Sequence, residues 1–219
     1  MFNFGDTFMV NKIRYWAFEG NEGTGKTVLS KAFAEQCGAI WTYEPNAETE
    51  ELRTLRELAL DGSKTTTKYA REMCLLANRS IHHQVHVKPI IDCKETIITD
   101  RSVLSGMVYA KLETYSFDEW VDLVTRVHLT NTFPDVFVYC TSNKRKMNKN
   151  KEGRENDIYD NADSSIIDKI DAIYEDALEF LKKCKITKNI PIIRFENDFN
   201  KPVEDNLVRL MEILKTELK

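Results

Sequence analysis

Residues 20–27 read G-N-E-G-T-G-K-T, and Gly20, Gly25, Lys26 and Thr27 satisfy the pattern G-x-x-x-x-G-K-[ST]. An apolar run from Ile13 to Phe18 precedes them and a helix-forming run from Val28 to Cys37 follows. Strand, glycine-rich turn and helix in that order form a cradle for phosphate. Glycine reaches the required backbone angles at low cost, so successive N–H groups can converge on phosphate oxygens. The helix that starts there adds unpaired donors and the positive end of its dipole. Gly20, Gly23, Gly25, Lys26, Thr27 and Val28 are the candidate nucleotide-binding residues, with Lys26 reaching the outer phosphates and the Thr27 hydroxyl a ligand for Mg²⁺.

Strand and helix signals alternate along the rest of the chain, which predicts an α/β fold with a mostly parallel sheet. Strands are expected at Ile13–Phe18, Ala39–Thr42, Thr96–Thr99, Asp135–Cys140 and Pro191–Phe195. In such a sheet ligands gather at the carboxyl ends of the strands. With 219 residues, 42% hydrophobic and 30% charged, the chain is expected to form one domain with its own core. A net charge of −4 gives no global attraction to nucleic acid or to a membrane surface. Five widely spaced cysteines without a C-x-x-C pattern point to buried thiols in a reducing, cytoplasmic setting. Residues 1–11 lack a basic start and a continuous apolar stretch, so no secretory signal is expected, and no run approaches membrane-span length.

Further candidates lie at the expected strand ends. Thr42-Tyr43-Glu44-Pro45 closes the second strand, with the proline holding Glu44 extended. Glu48, Glu50 and Glu51 open the next helix, which Asp61-Gly62-Ser63 closes, and a long helix follows from about Thr67 to His86. Asp100-Arg101-Ser102 ends the third strand. Asp100 there can hold a Mg²⁺-bound water, and the Arg101 guanidinium can grip two phosphate oxygens. From Asn143 to Arg154 six basic residues face the single acid Glu152, and this segment is expected to act as a mobile basic lid over the phosphates. His82 and His86 have i, i+4 spacing but no H-E-x-x-H pattern, and a metal site on them is not expected.

Four separated patches together resemble thymidylate kinases, nucleoside monophosphate kinases of the P-loop class. They are F-E-G-N-E-G-T-G-K-T, L-L-A-N-R-S-I-H, I-I-T-D-R-S-V-L-S-G-M-V-Y-A and the lid ending G-R-E-N-D, from residue 18 to about residue 160. The resemblance implies a three-layer fold around a five-stranded parallel sheet of order 2-3-1-4-5, with an acceptor region over about 42–90 and a lid over about 142–160. It implies transfer of the γ-phosphoryl group of ATP to dTMP with Mg²⁺, and a homodimer. It also implies roles for single residues. Glu22 matches the loop acid that contacts the acceptor, and Arg79 the helix arginine that reads the thymine edge. Arg101 matches the arginine between the acceptor phosphate and the γ-phosphate, and Ser105 and Tyr109 the serine and tyrosine after it, the tyrosine disfavouring a ribose 2′-hydroxyl. Gly23 stands where some relatives carry a loop arginine, so Arg154, or else Arg145, is expected to supply it from the lid.

The chain departs from the family pattern at three positions. Tyr43 replaces an arginine, Leu75 replaces a phenylalanine on the Arg79 face of the helix, and Ser102 replaces a tyrosine or histidine. D-R-S is similar to the E-R-S of deoxynucleoside kinases. The alternative is therefore a deoxynucleoside kinase with Glu44 as general base, or a monophosphate kinase of wider range. A GTPase-like switch would need N-K-x-D and D-x-x-G, whereas Asn143-Lys144 is followed by Arg145-Lys146 and Asp100 by Arg-Ser-Val.

Overall fold

In the computed structural model, the residues described are 13–60, 66–113, 115–127, 129, 132–143 and 164–218. The strands are β1 (Tyr15–Glu19), β2 (Ile40–Tyr43), β3 (Ile97–Asp100), β4 (Val136–Ser142) and β5 (Ile192–Asn197). All pair in parallel in the order β2-β3-β1-β4-β5, as the resemblance implied. Each starts one or two residues after its expected position, and β4 and β5 run two residues further. The helices are α1 (Lys26–Cys37), α2 (Glu50–Leu60), α3 (Lys68–His82), α4 (Lys88–Asp92), α5 (Val103–Glu113), α6 (Phe117–Arg126), α7 (Ser164–Lys183) and α8 (Val203–Glu217).

Both faces of the sheet are covered, so its strands read as apolar runs rather than as alternating patterns. Successive side chains point to opposite faces. Trp16, Phe18, Val136, Val138 and Cys140 pack with Leu29 and Phe33 of α1 and Leu210, Met211 and Leu214 of α8. Ala17, Phe137 and Tyr139 pack on the other side with Leu104, Met107 and Val108 of α5, Trp120 of α6 and Tyr174, Ala177 and Leu178 of α7. Helix α7 is amphipathic, and its apolar stripe enters this core. The helix-closing Asp61-Gly62-Ser63 lies outside the described residues.

The long helix expected to His86 is α-helical only to His82. A π-helical turn, His83–Val87, joins it to α4, and the Lys88 N–H bonds back to the His83 carbonyl. Pro89 explains the change: it has no N–H for the next i→i−4 bond, and a widened turn accommodates it. The five cysteines are free, but the expectation of buried thiols holds fully only for Cys140. Cys37, Cys74 and Cys184 are half-buried and Cys93 is exposed, because α4 lies at the surface with no buried residue of its own. Among the described residues no helix is long and apolar enough to cross a membrane.

Register aligns the carboxyl ends of the strands. Phe18 and Tyr43 both pair with Asp100, and Glu19 pairs with Tyr139. The phosphate loop, Glu44, Arg101 and the end of β4 therefore emerge from one edge.

Candidate active site

The loop between β1 and α1 is fixed by contacts that admit only glycine at two points. Gly20 has φ +139°, and a Cβ there would lie 2.3 Å from the Cys140 carbonyl oxygen. Gly25 has φ +78°, and its Cβ would lie 2.3 Å from Nδ2 of Asn197. Gly25 also caps α1 with no side chain over the helix end. The N–H groups of Lys26, Thr27 and Val28 precede the first intrahelical bond, from Leu29 N to the Gly25 carbonyl at 3.0 Å, and are open to an anion. Val28 is 59% exposed, so its side chain faces solvent and only its backbone serves such a site. Asn197 Nδ2 donates to the Thr24 carbonyl at 3.0 Å, and Asn21 Nδ2 donates to the Ile167 carbonyl at 2.9 Å and to Asp171 Oδ1 at 2.8 Å. These bonds tie the loop to the end of β5 and to α7.

Lys26 is buried, and its Nζ donates to the Asn21 carbonyl at 3.2 Å. Burial, then the positive charge of Arg101, lowers its pKa to about 8. The Thr27 hydroxyl donates to Oδ2 of Asp100. Oδ1 of Asp100 is buried and has no hydrogen-bond partner. A buried carboxylate oxygen without a partner beside a hydroxyl is a hard oxygen donor set, and it suits Mg²⁺ held partly through water. Thr27 and Asp100 therefore fit the ion that the sequence reading assigned to them.

Arg101 follows Asp100 in the left-handed region, φ +69°. Its Nη1 donates to Ser105 Oγ at 3.1 Å, to Tyr174 Oη at 3.2 Å and to the Gly20 carbonyl at 3.3 Å. The guanidinium carbon lies 5.6 Å from the centre of the Tyr109 ring. Beneath it Glu19, fully buried at the end of β1, accepts from Ser102 Oγ and Ser105 Oγ, each at 2.6 Å. Burial raises the Glu19 pKa, and the two serine hydroxyls oppose that rise.

A second cluster adjoins the first. Arg79 Nε donates to Glu44 Oε2 at 2.8 Å, and Nη2 donates to the Ser102 carbonyl at 3.2 Å. Nη1 is buried with no acceptor. His82 holds the other oxygen of Glu44 at 3.4 Å through Nδ1 and contacts Thr42 Oγ1 at 2.8 Å through Nε2. With both nitrogens engaged in this way, His82 is not presented as a metal ligand. Burial alone would raise the Glu44 pKa, but the Arg79 charge and His82 outweigh it and hold the carboxyl below the usual range.

The structure thus brings together Gly20, Glu22, Gly23, Gly25, Lys26, Thr27, Asp100, Arg101, Ser105 and Tyr109, and joins Glu44 and Arg79 to them through Ser102. Glu22 is half-buried, and its backbone N–H is held by Asn21 Oδ1 at 2.8 Å. Leu75 is half-buried one turn before Arg79. At the position of the family arginine, Tyr43 stacks on Trp41, with ring centres 5.6 Å apart. Arg145 and Arg154, with the basic segment as a whole beyond Asn143, lie outside the described residues. Sequence reasoning passed over Glu19, Asn21, Tyr174 and Asn197. Glu19 carried one signal, an acid ending an apolar strand where burial is expected on both faces.

A sequence profile of the thymidylate kinase family matches residues 18–195. The chain is 30% identical over 173 residues to a thymidylate kinase of Campylobacter jejuni, spanning 77% of this chain and 85% of that one. It is 38% identical over 101 residues to the thymidylate kinase of Wolinella succinogenes, and there the match spans about half of the relative, 50%, and 44% of this chain. The fold is similar to solved thymidylate kinases of Candida albicans (TM-score 0.64, 18% identity, 93% of this chain and 92% of that one) and Ehrlichia chaffeensis (TM-score 0.60, 17% identity, 92% and 98%). Together with the phosphate loop and the D-R-S turn at adjoining strand ends, these matches establish that the chain belongs to the thymidylate kinase family.

Proposed function

We propose that the chain transfers the γ-phosphoryl group of Mg²⁺-bound ATP to the 5′-phosphate of dTMP, giving dTDP and ADP. The observation that carries this reading is the pair of cations Lys26 and Arg101. Burial and the neighbouring positive charge depress the Lys26 pKa to about 8, so an anion between the two relieves the cost of holding them together.

Each residue then has a task. The N–H groups of the loop and of Lys26, Thr27 and Val28 hold the donor phosphates, with Lys26 on the outer ones. Thr27 and Asp100 would hold Mg²⁺, which would supply charge neutralisation to the phosphate oxygens. Arg101 aligns the acceptor phosphate with the donor. Arg79 offers its unpartnered Nη1–H to a base carbonyl, while Glu44 keeps its guanidinium oriented. Glu22, Ser105 and Tyr109 complete the acceptor side, together with the region of about 42–90 that carries Glu44, Leu75 and Arg79. Arg154, or else Arg145, supplies the further cation from the basic segment. The acceptor phosphate is already anionic, so alignment and charge neutralisation carry the reaction without a strong base.

A deoxynucleoside kinase would use Glu44 as the base for a 5′-hydroxyl. That carboxylate is paired with Arg79 and bonded to His82, and its lowered pKa makes it a weak base, which supports the monophosphate as acceptor. A homodimer and a cytoplasmic location belong to the same proposal, the latter supported by the five free cysteines. ADP release measured with dTMP and with thymidine as acceptors tests the reaction: greater turnover of thymidine contradicts it.

A further inference from the structure

We propose that Tyr174, on α7, is a positioning residue for Arg101. The proposal rests on the reading of Arg101 as the arginine that grips the transferring phosphates. A guanidinium only donates, so the hydroxyl oxygens that meet Arg101 accept from it. The Ser102 and Ser105 hydroxyls donate to the Glu19 carboxyl, each at 2.6 Å. The Ser105 oxygen is left with lone pairs and accepts from Arg101 Nη1 at 3.1 Å. The Tyr174 hydroxyl lies 2.8 Å from Ser105 Oγ and 3.4 Å from Glu19 Oε2. Its own oxygen accepts from Arg101 Nη1 at 3.2 Å. Tyr174 therefore passes the hold of the buried carboxylate on to the guanidinium.

Geometry gives this contact a consequence for function. Arg101 sits at φ +69°, a conformation that persists for a residue with a side chain only where the surroundings hold it. Among the described residues, the hydrogen bonds of its guanidinium all run through Nη1, to Gly20, Ser105 and Tyr174. Nη1 has two hydrogens shared among three acceptors, so it is spent on anchoring, and Nε and Nη2 form the edge free for two phosphate oxygens. Tyr174 is itself fully buried, with its ring 5.6 Å from that of Tyr139, and cannot swing away. Tyr174, 73 residues beyond Arg101, thus fixes which edge of the guanidinium faces the ligand.

The test is a double-mutant cycle on steady-state phosphoryl transfer from ATP to dTMP. Tyr174→Phe keeps the buried ring and deletes only the hydroxyl. The expected result is a kcat about tenfold lower, with KM for both substrates changed less than about twofold. Arg101→Lys removes the Nη1 that the tyrosine holds, so adding Tyr174→Phe to it should lower kcat by less than about twofold more. A merely structural loss would also lower the melting temperature and would multiply onto Arg101→Lys. Full additivity, or a Tyr174→Phe enzyme with unchanged kcat, overturns the proposal while Arg101→Ala remains inactive. If Arg101→Ala turns over normally, the reading of Arg101 fails instead, and the positioning role with it.

Discussion

Arg79 and Glu44 form a buried ion pair, Nε to Oε2 at 2.8 Å, with side chains only 7% and 3% exposed. One guanidinium nitrogen is left without an acceptor. A pair so buried is a weak source of net stability, but removing one partner strands the other charge and costs about 3–5 kcal/mol. Glu44→Ala should therefore lose stability on that scale in urea unfolding and bind dTMP weakly. Arg79→Ala with full stability and an unchanged KM for dTMP would contradict the assignment.

The same pair sets a dependence on pH. Folding lowers the Glu44 pKa, so its stabilisation is complete above the unfolded carboxylate value of about 4.3 and is lost as pH falls through the lower folded value. Glu19 acts in the opposite sense, because folding raises its pKa and its ionisation works against the fold. Unfolding free energy followed from neutral pH into acid should fall less steeply for Glu44→Gln than for the native chain. An identical slope for the two proteins would show that Glu44 is not held as described.

Lys26 provides a proton-linked signature of phosphate binding. Its pKa is lowered to about 8 by burial and by Arg101, and a bound triphosphate raises it again. Binding of ATP near the Lys26 pKa of about 8 should therefore take up protons, detected by calorimetry in buffers of different ionisation enthalpy, to an extent of about half a proton. Lys26→Met should abolish the uptake and lower kcat about a hundredfold to a thousandfold while remaining folded. Uptake that survives in Lys26→Met would assign the proton to another group.

Gly106 gives a test of how closely the Arg79 guanidinium is placed. A Cβ at this position would lie 2.8 Å from Nη1 and 2.9 Å from Nη2 of Arg79, and 3.0 Å from Trp120. The guanidinium is held by Glu44 and the Ser102 carbonyl and cannot retreat without breaking a bond. The gain in helix propensity, about 1 kcal/mol, is too small to offset a broken buried bond, so Gly106→Ala should also lower the melting temperature. The KM for dTMP should rise about tenfold because Arg79 is displaced. A KM that does not move would place the base elsewhere.

The sheet was legible because its strands are covered on both faces: I-I-T-D and V-F-V-Y-C are short apolar runs bounded by turn residues, and each lies within two residues of its expected place. The order of the strands was legible only through the family resemblance, since periodicity carries no information about neighbours. The phosphate loop, Asp100 and Arg101 stood out because each follows a strand end. Glu19 and Tyr174 did not. The acid at the end of β1 carried only the signal of its doubly covered strand, the tyrosine in an amphipathic helix carried none, and their relation to Arg101 exists only across the fold. The helix break after His82 had a visible cause in Pro89, but its effect reached back through the preceding turn.

The central claim is tested most directly by ADP release with Mg²⁺-ATP as donor and dTMP, dUMP, dCMP, dGMP and thymidine as acceptors. The expected result is the largest kcat/KM for dTMP, with little turnover of thymidine. A kcat/KM for thymidine above that for dTMP would contradict it, as would the absence of ATP-dependent activity with any of the five.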